Sequence, residues 1–283
     1  MVKFQKIMKQ QLKDEIKEIY NLEHLQNGLS YKKIQLKYNI PRGTWYYYIQ
    51  KYNLKYDGRK YRCNDGYFDN IDTYNKAYIL GFLYGDGCIT NDGRVSILLN
   101  IKDIEILELI KREICPNTPL VISNYQNIKR DKQIKLRFKS LRIYNKLKEL
   151  GFHLNKTKQD SDIFKYIPEK FKLDFIRGYL DADGNVRCQL RGKYWTFGVN
   201  FCNGNIEILK DIKDYFSYFL NITNTEIKTY KNKSEYYVLA YYKKEDVFNI
   251  CNVIYNNNLF ALQRKKKLAL KVVELFNNTE VNK

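Results

Sequence analysis

ILGFLYGDG, at residues 79–87, and IRGYLDADG, at residues 176–184, are two nine-residue strings of the same design. Each has glycine at its third position and ends in a small residue, aspartate and glycine. The tetrapeptide Ile-Glu-Ile-Leu recurs downstream of each string, at 104–107 and 206–209. A motif and a later segment that recur together indicate an internal duplication.

Strand-like runs lie between and after the repeated segments. They are enriched in apolar, β-branched and aromatic residues, and they occupy 94–101, 133–139, 194–202 and 236–242. Both halves therefore share one order of helix, two strands, helix, two strands and helix. The sequence predicts an α+β fold built from a duplicated αββαββα unit, with the first half at 74–160 and the second at 161–283.

Small residues mark one side of each nine-residue string. Gly81 and Gly85 are four residues apart, as are Gly178 and Ala182, so each pair lies on one face of a helix. Small residues at this spacing allow two helix backbones to approach closely. We therefore expect the two strings to form a helix–helix interface.

This interface places two carboxylates side by side, because Asp86 and Asp183 end the two predicted helices. A carboxylate at a helix C-terminus opposes the helix dipole by roughly 0.3–1 kcal/mol, and neighbouring carboxylates repel each other. An Asp-Gly pair alone is typical of a turn, but two pairs at matched helix ends favour a bound divalent cation such as Mg²⁺. We expect Gly87 and Gly184 to turn the chain out of each helix with positive φ.

The charge of the chain indicates a polyanionic partner. Its 283 residues include 50 Lys and Arg against 31 Asp and Glu, a net charge of +19, which favours nucleic acid or an anionic membrane surface. Interleaved with these cations are 26 tyrosines, which suit phosphate contact and base stacking but are equally typical of AT-rich coding.

Several other functional classes are disfavoured by composition. Six cysteines form no CxxC pair and only two histidines are present, which argues against zinc ribbons, redox dithiols, HExxH sites and histidine-dependent nucleases. The most apolar stretch, 77–85, is about half of the ~20 residues that cross a bilayer. The N-terminus lacks the apolar core of a secretion signal, so we expect an intracellular protein.

Residues 1–62 predict a small helical module. A short helix after Ser30, a turn at 38–41 and a second helix resemble a helix-turn-helix, whose second helix enters the major groove; a helical cap on the main domain is the alternative. The expected inner face consists of Ile34, Leu36, Ile40, Trp45 and Ile49. The expected DNA contacts are Arg42, Thr44, Tyr46, Tyr47, Gln50 and Lys51. Residues 63–73 are expected to form a basic linker.

The paired strings resemble the signature of the LAGLIDADG homing endonucleases. The second string differs from that signature mainly at Arg177 and Tyr179, and the first has Tyr84 in place of the first signature aspartate. The final aspartate is retained in both strings. The resemblance covers about residues 74–283.

This resemblance implies a monomeric, pseudo-symmetric enzyme that cuts both DNA strands across the minor groove. Mg²⁺ would lie between Asp86 and Asp183, with Gly85 and Ala182 in the same metal site, for a two-metal hydrolysis of the phosphodiester. Mn²⁺ is expected to substitute, and Ca²⁺ to bind without supporting cleavage. Two curved antiparallel sheets would form a saddle on the major groove.

The resemblance also assigns DNA contacts to the strands of the saddle. In the first half these are Thr90, Asn91, Arg94, Ser96, Lys129, Arg130, Lys132, Lys135 and Arg137. In the second half they are Asn185, Arg187, Gln189, Arg191, Lys193, Tyr194, Lys228, Tyr230, Lys231 and Lys233.

Members of this family use one basic residue in each half near the scissile phosphate. Lys156, in a Leu-Asn-Lys-Thr stretch before the second motif, is the candidate in the first half. Lys265 is the candidate in the second half, with Arg264 as a DNA contact. The alternative for this basic run is phosphate contact alone.

The resulting hypothesis is a site-specific double-strand DNA endonuclease for intron or intergenic homing, with double-stranded DNA as partner. An RNA-binding maturase that acts on its host intron RNA is one alternative. A transcription regulator with a retired nuclease domain is another. An intein is not expected, because the sequence lacks a splicing nucleophile at Met1 and a terminal His-Asn.

Overall fold

A computed structural model describes residues 15–26, 29–54, 61–123, 132–153, 162–223, 225–231, 235–256 and 260–280. The chain divides into two compact units, Met1–Asn64 with Cys115–Thr118 and Asp65–Ile114 with Pro119–Lys283. Among the described residues, no helix combines the length and apolar character needed to span a membrane.

The first unit is helical. Residues 15–19 form a helix that continues as a π-helix, Tyr20–Gln26, followed by α1 (Tyr31–Lys37) and α2 (Arg42–Lys51). The Ser30 side chain accepts the Lys33 N–H and caps α1.

The core of this unit contains three of the five predicted inner-face residues: Ile34, Trp45 and Ile49 are buried, and Ile40 packs partly buried against them. Leu36 was wrongly expected there, since it is 74% exposed. Leu36 follows Ile34 by two residues, and on a helix with 3.6 residues per turn its side chain therefore points to the opposite side.

The second unit contains the same arrangement twice. The first copy consists of α3 (Tyr74–Asp86), β1 (Gly87–Thr90), β2 (Arg94–Asn100), α4 (Ile104–Ile114), β3 (Val121–Ser123), β4 (Gln133–Lys139) and α5 (Leu141–Glu149). The second copy consists of α6 (Lys172–Asp183), β5 (Asn185–Arg191), β6 (Tyr194–Asn203), α7 (Ile206–Leu220), β7 (Ile227–Lys231), β8 (Glu235–Tyr241) and α8 (Lys244–Tyr255), and α9 (Gln263–Glu280) follows. The predicted α+β fold with a duplicated αββαββα unit is confirmed.

Each half contains one four-stranded antiparallel sheet. The strand orders are equivalent, β1-β2-β4-β3 and β5-β6-β8-β7. Alternate residues of each strand face opposite sides of a sheet, and one side is buried, as Val95 and Leu136 are in the first sheet and Val199 and Leu239 in the second. The other side, which we call the polar face, carries Ser96 and Arg137 in the first sheet and Asn185 and Asn200 in the second.

Residues 65–73, expected as part of a linker, pack within the second unit. Tyr67, Phe68 and Ile71 are buried, and the Tyr67 hydroxyl donates to Glu113 on α4 at 3.1 Å. The Thr73 side chain then accepts the Lys76 N–H and begins α3. This segment therefore anchors the start of the first motif helix.

Candidate active site and nucleic-acid interface

The two motif helices, α3 and α6, pack through their glycines. A Cβ added to Gly81 would overlap the carbonyl oxygen of Phe175 on α6, and one added to Gly178 would overlap the carbonyl oxygen of Tyr78 on α3. This reciprocal backbone contact is possible only without side chains at both positions. The structure thus has the helix interface that the small-residue spacing predicts.

The C-terminal ends of both helices meet at this interface. Asp86 ends α3 and is half-buried, and Asp183 ends α6 and is exposed. A Cβ placed on Gly85 would lie 3.3 Å from Oδ2 of Asp183, so the Asp183 carboxylate lies beside the last turn of α3. The structure therefore places the ends of the two motif helices, which carry Asp86 and Asp183, side by side.

The glycines after the aspartates do not adopt the predicted positive φ. Gly87 has φ −72° and Gly184 has φ −93°, so that expectation was wrong. The reason for glycine is space: a Cβ at Gly87 would overlap Leu83, and one at Gly184 would overlap Leu180. The chain enters the first strand of each sheet directly, over the last turn of the helix.

The two aspartates suit a divalent cation that keeps part of its hydration shell better than a cation whose ligands all come from the protein. Within the described ranges, no group of three or more His, Cys, Asp or Glu side chains is arranged to hold a metal ion. Mg²⁺ keeps several waters and uses one or two carboxylates together with substrate phosphates. Asp86 and Asp183 supply that pair of carboxylates, with Gly85 and Ala182 directly before them.

Asp181, the first aspartate of the second motif, has a different environment. Its carboxylate is buried and accepts hydrogen bonds from the hydroxyl of Tyr255 at 2.7 Å, the hydroxyl of Tyr78 at 2.9 Å and the N–H of Leu262 at 2.7 Å. Burial raises the pKa of Asp181, and these donors and the charge of Lys265 oppose the rise. Asp181 therefore joins α3, α6, α8 and the chain before α9, and it is buried whereas Asp183 is exposed.

Lys265 lies directly behind the candidate metal site. Its ammonium group is buried and donates to the carbonyl oxygens of Leu180 at 2.7 Å, Asp181 at 2.7 Å and Gly184 at 2.6 Å. A cation at this helix C-terminus is favoured by the helix dipole. Burial lowers the pKa of Lys265 to about 8, while the carboxylates of Asp181, Asp86 and Asp183 oppose the decrease.

Two further contacts hold the chain that leads into α9. The buried Arg177 donates through Nε to the carbonyl oxygen of Phe260 at 2.8 Å and pairs with Asp174 at 2.7 Å. Arg264, predicted as a DNA contact, pairs with Asp103 of the first half at 3.0 Å. Lys156, the candidate of the first half, lies outside the described residues.

Sequence reasoning missed the roles of several of these residues. Arg177 and Tyr179 were noted only as departures from the signature, and Asp181 only as a signature letter. Tyr179 is buried, donates to the carbonyl oxygen of Cys202 at 2.7 Å and accepts from Asn203 at 2.6 Å. A charged residue within the motif helix was the available signal for Arg177. Its carboxylate partner Asp174 is three residues away, but its carbonyl partner Phe260 is 83 residues away.

The polar face of the first sheet carries most of its predicted contacts. Thr90 is opposite Arg94, Ser96 is opposite Arg137, and Lys135 is opposite Leu98. Arg94 also pairs with Asp92 at 2.7 Å. Two predicted contacts border the face, Asn91 in the β1–β2 turn and Lys132 before β4, and two others, Lys129 and Arg130, lie outside the described residues.

The polar face of the second sheet is richer in amides and tyrosines. Asn185 is opposite Asn200, Gln189 is opposite Thr196, and Arg191 is opposite Tyr194. The guanidinium of Arg187 lies over the ring of Tyr242, 5.4 Å from its centroid. Tyr230 and Tyr236 stack at 5.4 Å.

The remaining predicted contacts of the second half have three different positions. Lys228 shares the polar face with Tyr230, and Lys193 lies in the β5–β6 turn. Lys231 falls on the opposite face by strand alternation and pairs with Glu235 at 3.4 Å. Lys233 lies outside the described residues. On the described strands, no polar-face position of either sheet is acidic.

The first unit presents its own cationic and aromatic surface. Arg42, Tyr46, Tyr47, Gln50 and Lys51 are exposed on α2, while Thr44 is half-buried. Arg42 lies over the ring of Tyr46 at 5.6 Å and Lys51 over that of Tyr47 at 5.3 Å. These one-turn pairs order the long side chains on the outer face of α2.

Comparison with known proteins agrees with this architecture. Residues 170–254, which include the second motif, match the family described as LAGLIDADG-like domain. An uncharacterized protein of Methanocaldococcus jannaschii is 25% identical over 170 residues, which are 58% of this chain and 60% of that protein. The chain thus spans about 60% of the length of this curated relative.

Solved structures share the fold at low sequence identity. The I-SmaMI LAGLIDADG homing endonuclease bound to cleaved DNA superimposes with a TM-score of 0.50 at 12% identity, over 75% of this chain and 92% of that one. A point mutant of I-SmaMI gives 0.50 at 9% identity, over 71% and 92%. The resemblance to the LAGLIDADG homing endonucleases is therefore confirmed: the second motif lies within the segment that matches the LAGLIDADG-like domain family, and the chain shares the fold of these solved structures.

Proposed function

We propose that this protein is a site-specific endonuclease that cuts both strands of double-stranded DNA. The observation that carries the proposal is the convergence of Asp86 and Asp183 at the ends of two tightly packed helices, beside two polar sheet faces without acidic residues. The structurally similar I-SmaMI is bound to cleaved DNA, which supports DNA as the substrate in this proposal.

Asp86 and Asp183 would hold divalent metal, with Gly85 and Ala182 in the same site. When bound, Mg²⁺ would supply Lewis-acid stabilisation of the charge that develops on the scissile phosphate. A two-metal hydrolysis suits cleavage of two phosphodiesters from one pair of carboxylates. Because the helix dipoles oppose both carboxylates, their convergence favours a cation over an empty site.

Lys265 would act from behind the two aspartates. Its three hydrogen bonds go to backbone carbonyl oxygens, so we assign it to fixing the end of α6 and to lowering the repulsion between the carboxylates. A protonated Lys265 contributes one positive charge to the site below pH about 8. Lys156 stays the candidate for the first half.

The sheet faces would contact the major groove on each side of the cleavage site. Arginine and lysine there can bind phosphates and guanine, and amides can bind adenine. The exposed face of α2, with Arg42, Tyr46 and Tyr47, would extend the contact region on the DNA. We expect the protein to work inside the cell as a monomer on one asymmetric site, in intron or intergenic homing.

The proposal is tested by selection of cleaved sites from a randomised duplex library, once with Mg²⁺ and once with Ca²⁺. We expect enrichment of one double-strand cleavage site with Mg²⁺ and binding without cleavage with Ca²⁺. The double variant Asp86→Asn, Asp183→Asn is the control and should bind the selected site without cutting it.

Cleavage by that double variant, or absence of metal-dependent cleavage by the wild type, would contradict the proposal. If the wild type binds DNA without cutting it, the regulator alternative gains support. If it promotes splicing of a host intron RNA without cutting DNA, the maturase alternative does.

A further inference from the structure

The first sheet presents an arginine in the row that begins at the first polar-face residue of β1. Cys88 lies two residues after Asp86 and is opposite Ser96, which in turn is opposite Arg137 on β4. We call Cys88, Ser96 and Arg137 the first motif row. Cys88 and Arg137 are exposed and Ser96 is half-buried, so two short side chains leave room for the arginine.

The second sheet presents two amides in the equivalent row. Asn185 lies two residues after Asp183 and is opposite Asn200, which in turn is opposite Ala240 on β8. We call Asn185, Asn200 and Ala240 the second motif row. The equivalent strand orders and the equal spacing from the motif aspartate make the two rows counterparts.

The two rows suit different bases. The arginine fork pairs with O6 and N7 of guanine, whereas an asparagine amide pairs with N6 and N7 of adenine. Asn185 and Asn200 lie on adjacent strands, about 4.8 Å apart along the sheet, and Ala240 leaves the space above the third strand open. A small residue replaces the arginine at that third position, so guanine has no matching donor there.

Arg137 is also the arginine of the first polar face that remains available. Arg94, the other one, pairs with Asp92 at 2.7 Å. Among the described residues, no side-chain hydrogen bond or ion pair involves the Arg137 guanidinium. Its side chain can therefore contact a base without first breaking an internal contact.

We propose that the two halves read different base chemistry at pseudo-symmetric positions: Arg137 selects a guanine in one half-site, and Asn185 with Asn200 selects an adenine in the other. This inference depends on the proposed DNA-binding function. It adds a specific asymmetry of the target, assigned to two rows of side chains.

The test is selection of bound sites by the full chain from a randomised duplex library, with Ca²⁺ present. In the wild type we expect guanine at one position and adenine at its pseudo-symmetric counterpart. Arg137→Gln should convert the guanine preference to adenine, with a change of about tenfold or more, and leave the other half-site unchanged. The double variant Asn185→Ala, Asn200→Ala should lose the adenine preference and keep the guanine.

Thr229→Ala is the matched control, because Thr229 is exposed on the opposite face of the second sheet. Its selected sites should equal those of the wild type. The same base at both positions, or an Arg137→Gln variant that weakens binding to all sequences equally, would overturn the inference and leave the nuclease proposal intact. If the wild type enriches no sequence, the proposed function itself fails.

Discussion

The two motif helices meet across one interface but differ at the position before the final small-Asp-Gly sequence. In α3 this position is Tyr84, whose ring packs edge-on against Phe152 and Tyr179 at 5.5 and 5.8 Å. In α6 it is Asp181, whose buried carboxylate accepts three hydrogen bonds. The backbones of the two helices pack in the same way. The interface therefore requires glycine at Gly81 and Gly178, but it does not fix which residue occupies the position of Tyr84 and Asp181.

The difference shows how the two halves of a duplicated fold can diverge while both keep the aspartate of the candidate site. An aromatic ring in the first half is held by dispersion and ring contacts that tolerate small shifts. A buried carboxylate in the second half needs every donor in place, because an unsatisfied buried polar group is costly. The second motif should therefore tolerate substitution less well than the first. Lys265 and the chain before α9 are hydrogen-bonded to it.

The largest expected effect is a loss of cleavage, and it should be the same for the aspartate of either half. Asp183→Asn and Asp86→Asn should each lower the cleavage rate by about 10³-fold or more, because each removes a charged ligand from the candidate metal site. DNA affinity should be largely kept. Cleavage of a plasmid that carries the selected target measures the rate, and undiminished cutting by either variant would remove its aspartate from the mechanism.

The second prediction tests the shared interface. Gly178→Ala and Gly81→Ala should each destabilise the second unit by about 3 kcal/mol, because the new Cβ overlaps a backbone carbonyl that cannot move alone. The control is Gly43→Ala on α2, where an added Cβ meets nothing within 4 Å. Denaturant unfolding should show this control unchanged or slightly stabilised. Unfolding curves equal to wild type for both interface variants would contradict the close packing.

The third prediction compares the two divergent positions directly. Asp181→Asn should cost about 2 kcal/mol, because the amide turns a donor toward groups that already donate. Tyr84→Phe should cost about 1 kcal/mol or less, since the packed ring is kept. Unfolding by urea measures both values. If Tyr84→Phe costs more unfolding free energy than Asp181→Asn, the second motif is not the one that tolerates substitution less well.

The fourth prediction concerns pH and Lys265. Its folded pKa of about 8 lies below the ordinary value of 10.5, so above pH 8 the folded state releases a proton that the unfolded state keeps. Stability from this group therefore rises with pH. From pH 7 to 9 the wild type should gain about 1 kcal/mol relative to Lys265→Met, measured by urea unfolding in metal-free buffer. A constant difference between the two proteins would argue against the depressed pKa.

The smallest effect is expected at the border of the same region. Arg264 is partly exposed where it pairs with Asp103, and exposed ion pairs contribute little. Arg264→Ala should therefore lower stability by about 0.5 kcal/mol or less, in contrast to Asp181→Asn. Thermal unfolding of the two variants side by side checks this. A larger loss in Arg264→Ala would mean that the contact between halves, more than Asp181, holds the chain before α9.

Much of the fold followed from local pattern. The strand predicted at 133–139 coincides with β4, and the runs at 94–101 and 194–202 differ from β2 and β6 by one residue at one end. The run at 236–242 is displaced from β8 by one residue at both ends. Those elements are predictable because alternation and helical spacing are short-range properties. The short edge strands β1, β3 and β7 carry too few residues for a clear period, and only contact with a neighbouring strand defines them.

For the candidate site too, some residues could be predicted from the sequence and others could not. Asp86 and Asp183 were identified because they recur at the ends of matched motifs. The roles of Arg177, Tyr179 and Asp181 were not found, since most of their partners come from other segments of the chain, 23 to 103 residues away. Lys265 was identified within a basic run beside Arg264, but its burial and its three carbonyl partners were not foreseen. Positive φ at the motif glycines was predicted where close packing was the actual cause.

By itself, the sequence determined the duplication, the helix interface, the pair of carboxylates and the excess of positive charge, because each depends on residue type and spacing. Only the tertiary structure decided which polar residues are buried and bonded and which remain on the open sheet faces. Burial and partnership depend on which distant segments meet, as when residues 260–265 close over Asp181. That meeting makes one motif aspartate a structural acceptor and leaves Asp183, two residues later, at the candidate metal site.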